Sequence, residues 1–220
     1  MIRALETSAL DPASVTPEAF LAALLTGDRL RAQALAHGAF QRGVDHLYEE
    51  VIRPAMVELG ALWHANRITV ADEHAATAIA QSTVASLYPE FPWSVGGPRA
   101  LIACVQGERH EFGARMVADL LALDGWHTVF LGADTPTSSL VEMAAKVQPA
   151  FVAVSVGLPL HLPAAREAVA ALKERLPKLK VLVGGRAVAP LPDAAAKLGA
   201  DGMGRSAAGA VEVVRGWKQG

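Results

Sequence analysis

The amino-acid sequence predicts an α/β protein in two parts: an N-terminal four-helix bundle, then a doubly wound sheet of five parallel strands. Three observations carry that expectation. Up to about Tyr88 the apolar residues recur at helical spacing. "PEFPWSVGGP", with three prolines and two glycines, interrupts the pattern. Beyond it, short apolar runs alternate with helical ones, the signature of repeated βα units. The expected boundaries are a bundle over residues 1–90, a linker over 91–98 and a sheet domain over 99–220.

Element by element, segments around 17–26 and 28–41 read as short amphipathic helices. Val44, Leu47, Tyr48, Val51, Ile52, Ala55, Met56, Leu59, Leu62 and Trp63 then form one buried stripe of a longer helix. Pro54 lies inside that run and predicts a kink near Arg53. Asn66 suits a left-handed helix end, and Thr69-x-x-Asp72 reads as a capping box that starts a fourth helix, "VADEHAATAIAQSTVASLY". Short connections make the four an antiparallel bundle. In the second half the strands are "ALIACV", "HTVFLG", "AFVAVSVG", "KVLVGG" and a short "ADGMG". Helices "EFGARMVADLLAL", "SSLVEMAAKV", "PAAREAVAALKERL", "PDAAAKLG" and "AAGAVEVVRGW" follow them in turn. The expected strand order is 2-1-3-4-5, as in flavodoxin- and Rossmann-like sheets.

Composition narrows the function classes. The net charge is −2 and the basic residues are scattered, unlike a nucleic-acid-binding surface. The one cysteine, Cys104, excludes an internal disulfide and reads as a buried structural thiol. No apolar run is long enough to span a bilayer, so the expectation is a cytoplasmic protein with no membrane partner.

In open parallel sheets, ligands bind outside the carboxyl ends of the strands, where strand order reverses. The loops leaving those ends carry "GERHEFG" after the first strand, "SVGLP" after the third and "GGRAV" after the fourth. The order 2-1-3-4-5 sets these three loops side by side. A dinucleotide-binding turn, a Walker loop, a hydroxyl-rich flavin phosphate loop and the acidic cluster of a phospho-receiver are all absent from them. What remains is a histidine, a serine and a double glycine. Taken singly, a histidine at a helix start is usually a cap or surface residue, and a serine or Gly-Gly after a strand usually serves a turn.

Together they resemble the cobalamin-binding domain, whose pattern is D-x-H-x-x-G, then a serine motif, then G-G. The matching residues are Glu108-x-His110-x-x-Gly113, Ser155 and Gly184–Gly185. "FLGADTP" and "LGADGMGRSAAGAV" are similar to the same family, and the resemblance covers residues 99–220. It implies that His110 is the lower axial ligand of cobalt, a role that suits a neutral imidazole. Glu108, in place of the family's aspartate, is the expected hydrogen-bond acceptor behind it. Ser155, Gly157, Gly184 and Gly185 are expected along the buried nucleotide tail, where the double glycine allows close backbone approach. His161 follows "GLPL" near the sheet's ligand edge, where it could line the slot, and a solvated loop position is the expectation.

The stretch "LWHANRITVADEH" narrows the resemblance. Trp63 continues the apolar stripe and Glu73 suits a helix N-terminus, so the bundle alone would explain both. Beside a cobalamin domain, however, Trp63, nine intervening residues and Glu73-His74 resemble the upper-face motif of the CarH-type adenosylcobalamin photoreceptors. That resemblance implies that Trp63 packs beside the adenosyl group and that Glu73 and His74 complete its pocket. His64 matches a second possible metal ligand, an upper one recruited after light. The implied function is a light sensor acting in transcription regulation, in which breakage of the Co–C bond repositions the helical cap. Oligomerisation or protein-partner binding would then change. Those photoreceptors carry a MerR-type DNA-binding domain ahead of the bundle, whereas this sequence enters the bundle within two dozen residues. No direct nucleic-acid binding is therefore expected of this chain, and its initiator-like Met1 favours a stand-alone sensor. The alternative is the corrinoid carrier of a methyltransferase system, which would hold methylcobalamin. Neither reading assigns a catalytic residue.

Overall fold

The computed structural model describes residues 15–94 and 96–218. The expected bundle residues 1–14, linker residue Val95 and the last two residues of the sheet domain lie outside them. The chain divides between Phe91 and Pro92 into two compact units.

In the first unit, α1 (Pro17–Leu25) starts where the Thr16 hydroxyl accepts the Ala19 N–H at 3.2 Å. α2 (Arg29–Phe40) starts where Asp28 accepts the Arg31 N–H at 2.9 Å. The third rod runs through α3 (Val44–His46), a π-helical turn (Leu47–Ile52) and α4 (Arg53–His64). That turn stands at the place of the anticipated kink. The Arg53 N–H bonds the Tyr48 carbonyl five residues back, and Pro54 follows directly, so the missing donor falls at a junction rather than within a regular α-turn. α4 ends with the Arg67 N–H on Leu62 and the Asn66 N–H on Trp63, with Asn66 left-handed at φ 55°. α5 (Val70–Leu87) opens on the capping box the sequence predicts: the Thr69 N–H reaches Asp72 at 2.8 Å, and the Asp72 N–H reaches the Thr69 hydroxyl at 3.2 Å. Phe20, Leu24, Leu35, Leu47, Tyr48, Ile52 and Leu59 fill the bundle core. Phe91, the first residue of the expected linker, belongs to that core instead. It is 4% exposed and packs on Phe40, Tyr48 and Tyr88, because an aromatic ring this close to the helices gains more from burial than from solvent.

The second unit is a five-stranded parallel sheet in the order β2-β1-β3-β4-β5. The strands are β1 (Arg99–Cys104), β2 (His127–Phe130), β3 (Phe151–Ser155), β4 (Lys180–Gly184) and β5 (Gly202–Gly204). Five helices alternate with them: α6 (Phe112–Leu123), α7 (Thr137–Val147), α8 (Leu162–Arg175), the short α9 (Ala194–Leu198) and α10 (Ala207–Lys218). α7 packs with α8, and α6 with α10. The period of two along the strands separates two cores. Leu101, Ala103, Val152, Val154, Val181 and Val183 meet Leu140, Ala165 and Leu172 of α7 and α8. On alternate positions Phe151 meets Trp126 and Trp217 edge to face.

Candidate functional site

β1 stands between β2 and β3, and the chain crosses from β1 to β2 on one side but from β3 to β4 on the other, so the crevice of a parallel sheet opens above β1 and β3. The loop leaving β1 turns tightly, with the Glu108 N–H on the Val105 carbonyl at 2.9 Å. The turn drives the Glu108 side chain into the protein, where it is 0% exposed.

Five donors meet that carboxylate. One oxygen accepts the His110 N–H at 2.9 Å and lies 2.5 Å from His110 Nδ1. The other accepts the Gly157 N–H at 2.7 Å and the Leu158 N–H at 2.9 Å, and lies 2.9 Å from His161 Nδ1. Burial alone would push the Glu108 pKa up. The side chains of His110 and His161 and the N–H groups of His110 and Leu158 outweigh it and hold the carboxyl well below the ordinary carboxylate range. An ionised carboxylate only accepts, so both imidazoles donate from Nδ1. Each then keeps its lone pair on Nε2, and His110, whose side chain is 48% exposed, offers that nitrogen at the crevice.

Gly157 makes room for this. A β carbon there would stand 3.1 Å from a Glu108 oxygen, so the residue cradles the carboxylate rather than open space. His161, which the sequence set at the sheet's ligand edge with a solvated loop position expected rather than the slot, instead joins this carboxylate. Its side chain is 14% exposed, because the short turn Pro159–His161 before α8 folds it back toward Glu108, and Gly107 leaves space for its ring. The one available signal was its place six residues after Ser155 on the same strand-end loop.

The remaining predicted residues fall around this centre. Gly113, on the first turn of α6, is exposed and a β carbon there would meet nothing within 4 Å, which leaves room for a bulky group beside His110. Ser155 ends β3 in register with Cys104 and Gly184. Gly184 and Gly185 serve close backbone packing. A β carbon on Gly184 would stand 3.2 Å from the Gly204 carbonyl, and Gly185, at φ 102°, would collide with the Val156 backbone. The Cys104 thiol is buried and its pKa is pushed up to about 12, by burial first and by the charges of Glu108 and Glu111 second, so it is inert as expected.

In the first unit, Trp63 and His64 lie ring to ring at 4.8 Å in the last turn of α4. Glu73 and His74 occupy the first turn of α5. The Thr77 hydroxyl donates to Glu73 at 3.0 Å, and His74 Nε2 lies 3.6 Å from the other Glu73 oxygen. The structure therefore forms two pairs, Trp63 with His64 and Glu73 with His74, at the two sides of the left-handed turn.

As a donor set, these residues suit a metal that arrives with a macrocycle. Among the described residues no three His, Cys, Asp or Glu side chains gather to hold a bare ion. One oriented imidazole beside open space can supply a single axial ligand. No helix among the described residues is long and apolar enough to cross a membrane.

Comparison with known proteins agrees with this chemistry. Residues 98–214 and residues 17–88 each match a family model described as a B12 binding domain. The HTH-type transcriptional repressor CarA of Myxococcus xanthus is 33% identical over 147 residues, covering 67% of this chain but 45% of CarA. The chain thus spans less than half of that relative's length. Trimethylamine corrinoid protein 1 of Methanosarcina acetivorans is 29% identical over 196 residues, covering 86% of this chain and 90% of that protein. The structure of the Methanosarcina barkeri monomethylamine corrinoid protein shares the fold with a TM-score of 0.77 at 22% identity, over 93% of this chain and 98% of that one. With the matching sheet unit covering more than half of its length and a second match in the bundle, the chain belongs to the B12-binding domain family.

Proposed function

We propose that this chain is an adenosylcobalamin-binding light sensor whose helical cap answers to the group on the cofactor's upper face. The observation that carries the reading is the α4–α5 corner, where a large ring and an imidazole end one helix and a carboxylate with a second imidazole begin the next. When bound, the cofactor supplies a cobalt–carbon bond that light can break. His110 would hold cobalt through Nε2, with Glu108 orienting the ring by accepting the Nδ1 hydrogen bond. Ser155 would border the nucleotide tail, beside strand ends that Gly184 and Gly185 let pack closely. Trp63 would pack beside the adenosyl group, and Glu73 and His74 would complete its pocket. Loss of that group would remove contacts from the corner and so shift the helical unit between two states, with His64 as the candidate replacement ligand. The output is a change in oligomerisation or in binding to a protein partner.

The test is to load the protein with adenosylcobalamin in the dark and then illuminate it with green light. Absorption spectrum and molecular mass should both change, and spectra identical before and after light would sink the sensor. His64→Ala should still load in the dark but give a different spectrum after light.

A second reading, the corrinoid carrier of a methyltransferase system, is favoured by one observation: the chain covers nine-tenths of the trimethylamine corrinoid protein. It makes the chain a methyl-carrying subunit rather than a sensor. Selective retention of methylcobalamin over the adenosyl form would establish that ranking.

A further inference from the structure

The β1 loop that carries His110 is gripped from both neighbouring strands, and the grip from β2 has no part in the site described so far. On the β3 side, the Glu108 carboxylate orients the ring. On the β2 side, the segment Leu131–Pro136, "LGADTP", binds the loop's backbone. The Gly107 N–H donates to Asp134 Oδ1 at 2.6 Å, and the Asp134 N–H donates to the Glu108 carbonyl at 2.8 Å. The Ala133 N–H donates to Glu111 Oε2 at 2.9 Å. These bonds bracket His110, two of them at residues 107 and 108 and one at residue 111. Below them the strands stay joined: the Cys104 N–H reaches the Gly132 carbonyl at 2.9 Å and the Thr135 N–H reaches the Cys104 carbonyl at 3.2 Å.

The backbone of the β2 segment is bent for this purpose. Asp134 sits at φ 46°, a left-handed conformation that aspartate and asparagine tolerate and most residues resist. Gly132, at φ 81°, leaves the space that Glu111 occupies, since a β carbon there would lie 2.8 Å from Glu111 Oε2.

We infer that Asp134 is a positioning residue for the cobalt ligand: it fixes where the Glu108–His110 pair stands above the sheet edge, while Glu108 fixes how the ring is turned. The inference rests on the proposal that His110 ligates cobalt. Without Asp134, ring and carboxylate keep each other but shift together, so the lone pair no longer points at one place.

Two substitutions separate the parts. Asp134→Asn keeps both the acceptor oxygen and the tolerance for the left-handed backbone. Asp134→Gly keeps only the backbone freedom. Hydroxocobalamin affinity and the visible spectrum of the loaded protein are measured, together with urea unfolding. In the cofactor-free protein, the nitrogen NMR signals of the His110 ring and the exchange rate of its amide are followed. Asp134→Asn should match the parent. Asp134→Gly should lose about threefold to tenfold in affinity, the factor expected for one hydrogen bond. It should also alter the spectrum and speed exchange at His110, with a near-parental urea midpoint. A parental spectrum and affinity in Asp134→Gly would overturn the inference, as would an Asp134→Asn variant that falls equally far. If the parent protein takes up no hydroxocobalamin, the cobalamin reading itself fails. The His110 signals then decide the brace, and identical signals in Asp134→Gly would overturn it.

Discussion

Glu108 and Asp201 hold opposite edges of the same sheet, and the difference between their partners separates the candidate site from a structural staple. Asp201 lies at the amino edge, just before β5. It accepts the Val181 N–H at 2.7 Å and the Lys173 ammonium at 2.5 Å, with Lys180 at 3.7 Å. Ammonium groups bring donors and no lone pair, so that network satisfies itself and ends there. Glu108, at the carboxyl edge, is completed by two imidazoles instead. Each donates one hydrogen bond and keeps one lone pair, so the same kind of anchor leaves His110, the more exposed of the two, with a nitrogen able to ligate. Burial differs in the same sense: the Glu108 side chain is 0% exposed and that of Asp201 22%.

The sharpest way to break this contrast is Glu108→Ala. It removes the acceptor of the half-buried Gly157 and Leu158 N–H groups and of the His161 Nδ1 donor, so urea unfolding should show a loss of about 3 kcal/mol. Hydroxocobalamin affinity should fall about 10- to 100-fold, the usual cost of removing the group behind a metal-bound histidine. Unchanged affinity in a folded variant would make Glu108 a staple like Asp201.

Asp201→Asn should cost about 1–2 kcal/mol, discounted for solvent screening, and leave the corrinoid spectrum as it was. Its pH dependence has a definite sign. Burial opposes ionisation of Asp201, but the Lys173 hydrogen bond, the Val181 N–H and the two lysine charges outweigh it and lower its pKa. The stabilisation is therefore present above the unfolded carboxyl value, about 3.9, and disappears as pH falls through the lower folded value. The difference from the parent should be flat between about pH 5 and 8 and shrink below about pH 4. A difference that persisted into acid would mean that the charge is not what holds the edge.

The smallest effect is expected from His161→Ala. Glu108 keeps its other four donors, so stability should drop by about 1 kcal/mol. Affinity for hydroxocobalamin should weaken a few-fold, and His161→Asn, which restores an N–H near Nδ1, should recover it. No recovery would mean that the ring's packing against Gly107, rather than its hydrogen bond, matters at this position.

Much of this architecture was legible beforehand, and the reason is local. The Thr69–Asp72 box, the left-handed Asn66, the βα alternation and the order 2-1-3-4-5 follow from spacing within one segment or from the pattern of segments. Glu108 behind His110 was legible too, because two residues in one loop have few ways to face each other. His161 was not. Its meeting with Glu108 spans 53 positions and depends on a turn at Pro159 that no periodicity announces. Phe91 looked like linker because prolines surround it, and only the rings of Phe40, Tyr48 and Tyr88 draw it into the bundle.

The double glycine makes the same division at one site. At the end of β4 the resemblance marked it as a place of close approach to a ligand tail. The structure decided what occupies the space: at Gly185 it is the backbone of Val156, carried there by the next strand in the sheet. By itself the sequence determined the elements, their order and the residues able to bind a metal, since periodicity and residue chemistry act over a few neighbours. Tertiary structure alone decided which of those residues share a carboxylate, because that depends on which strand ends lie side by side.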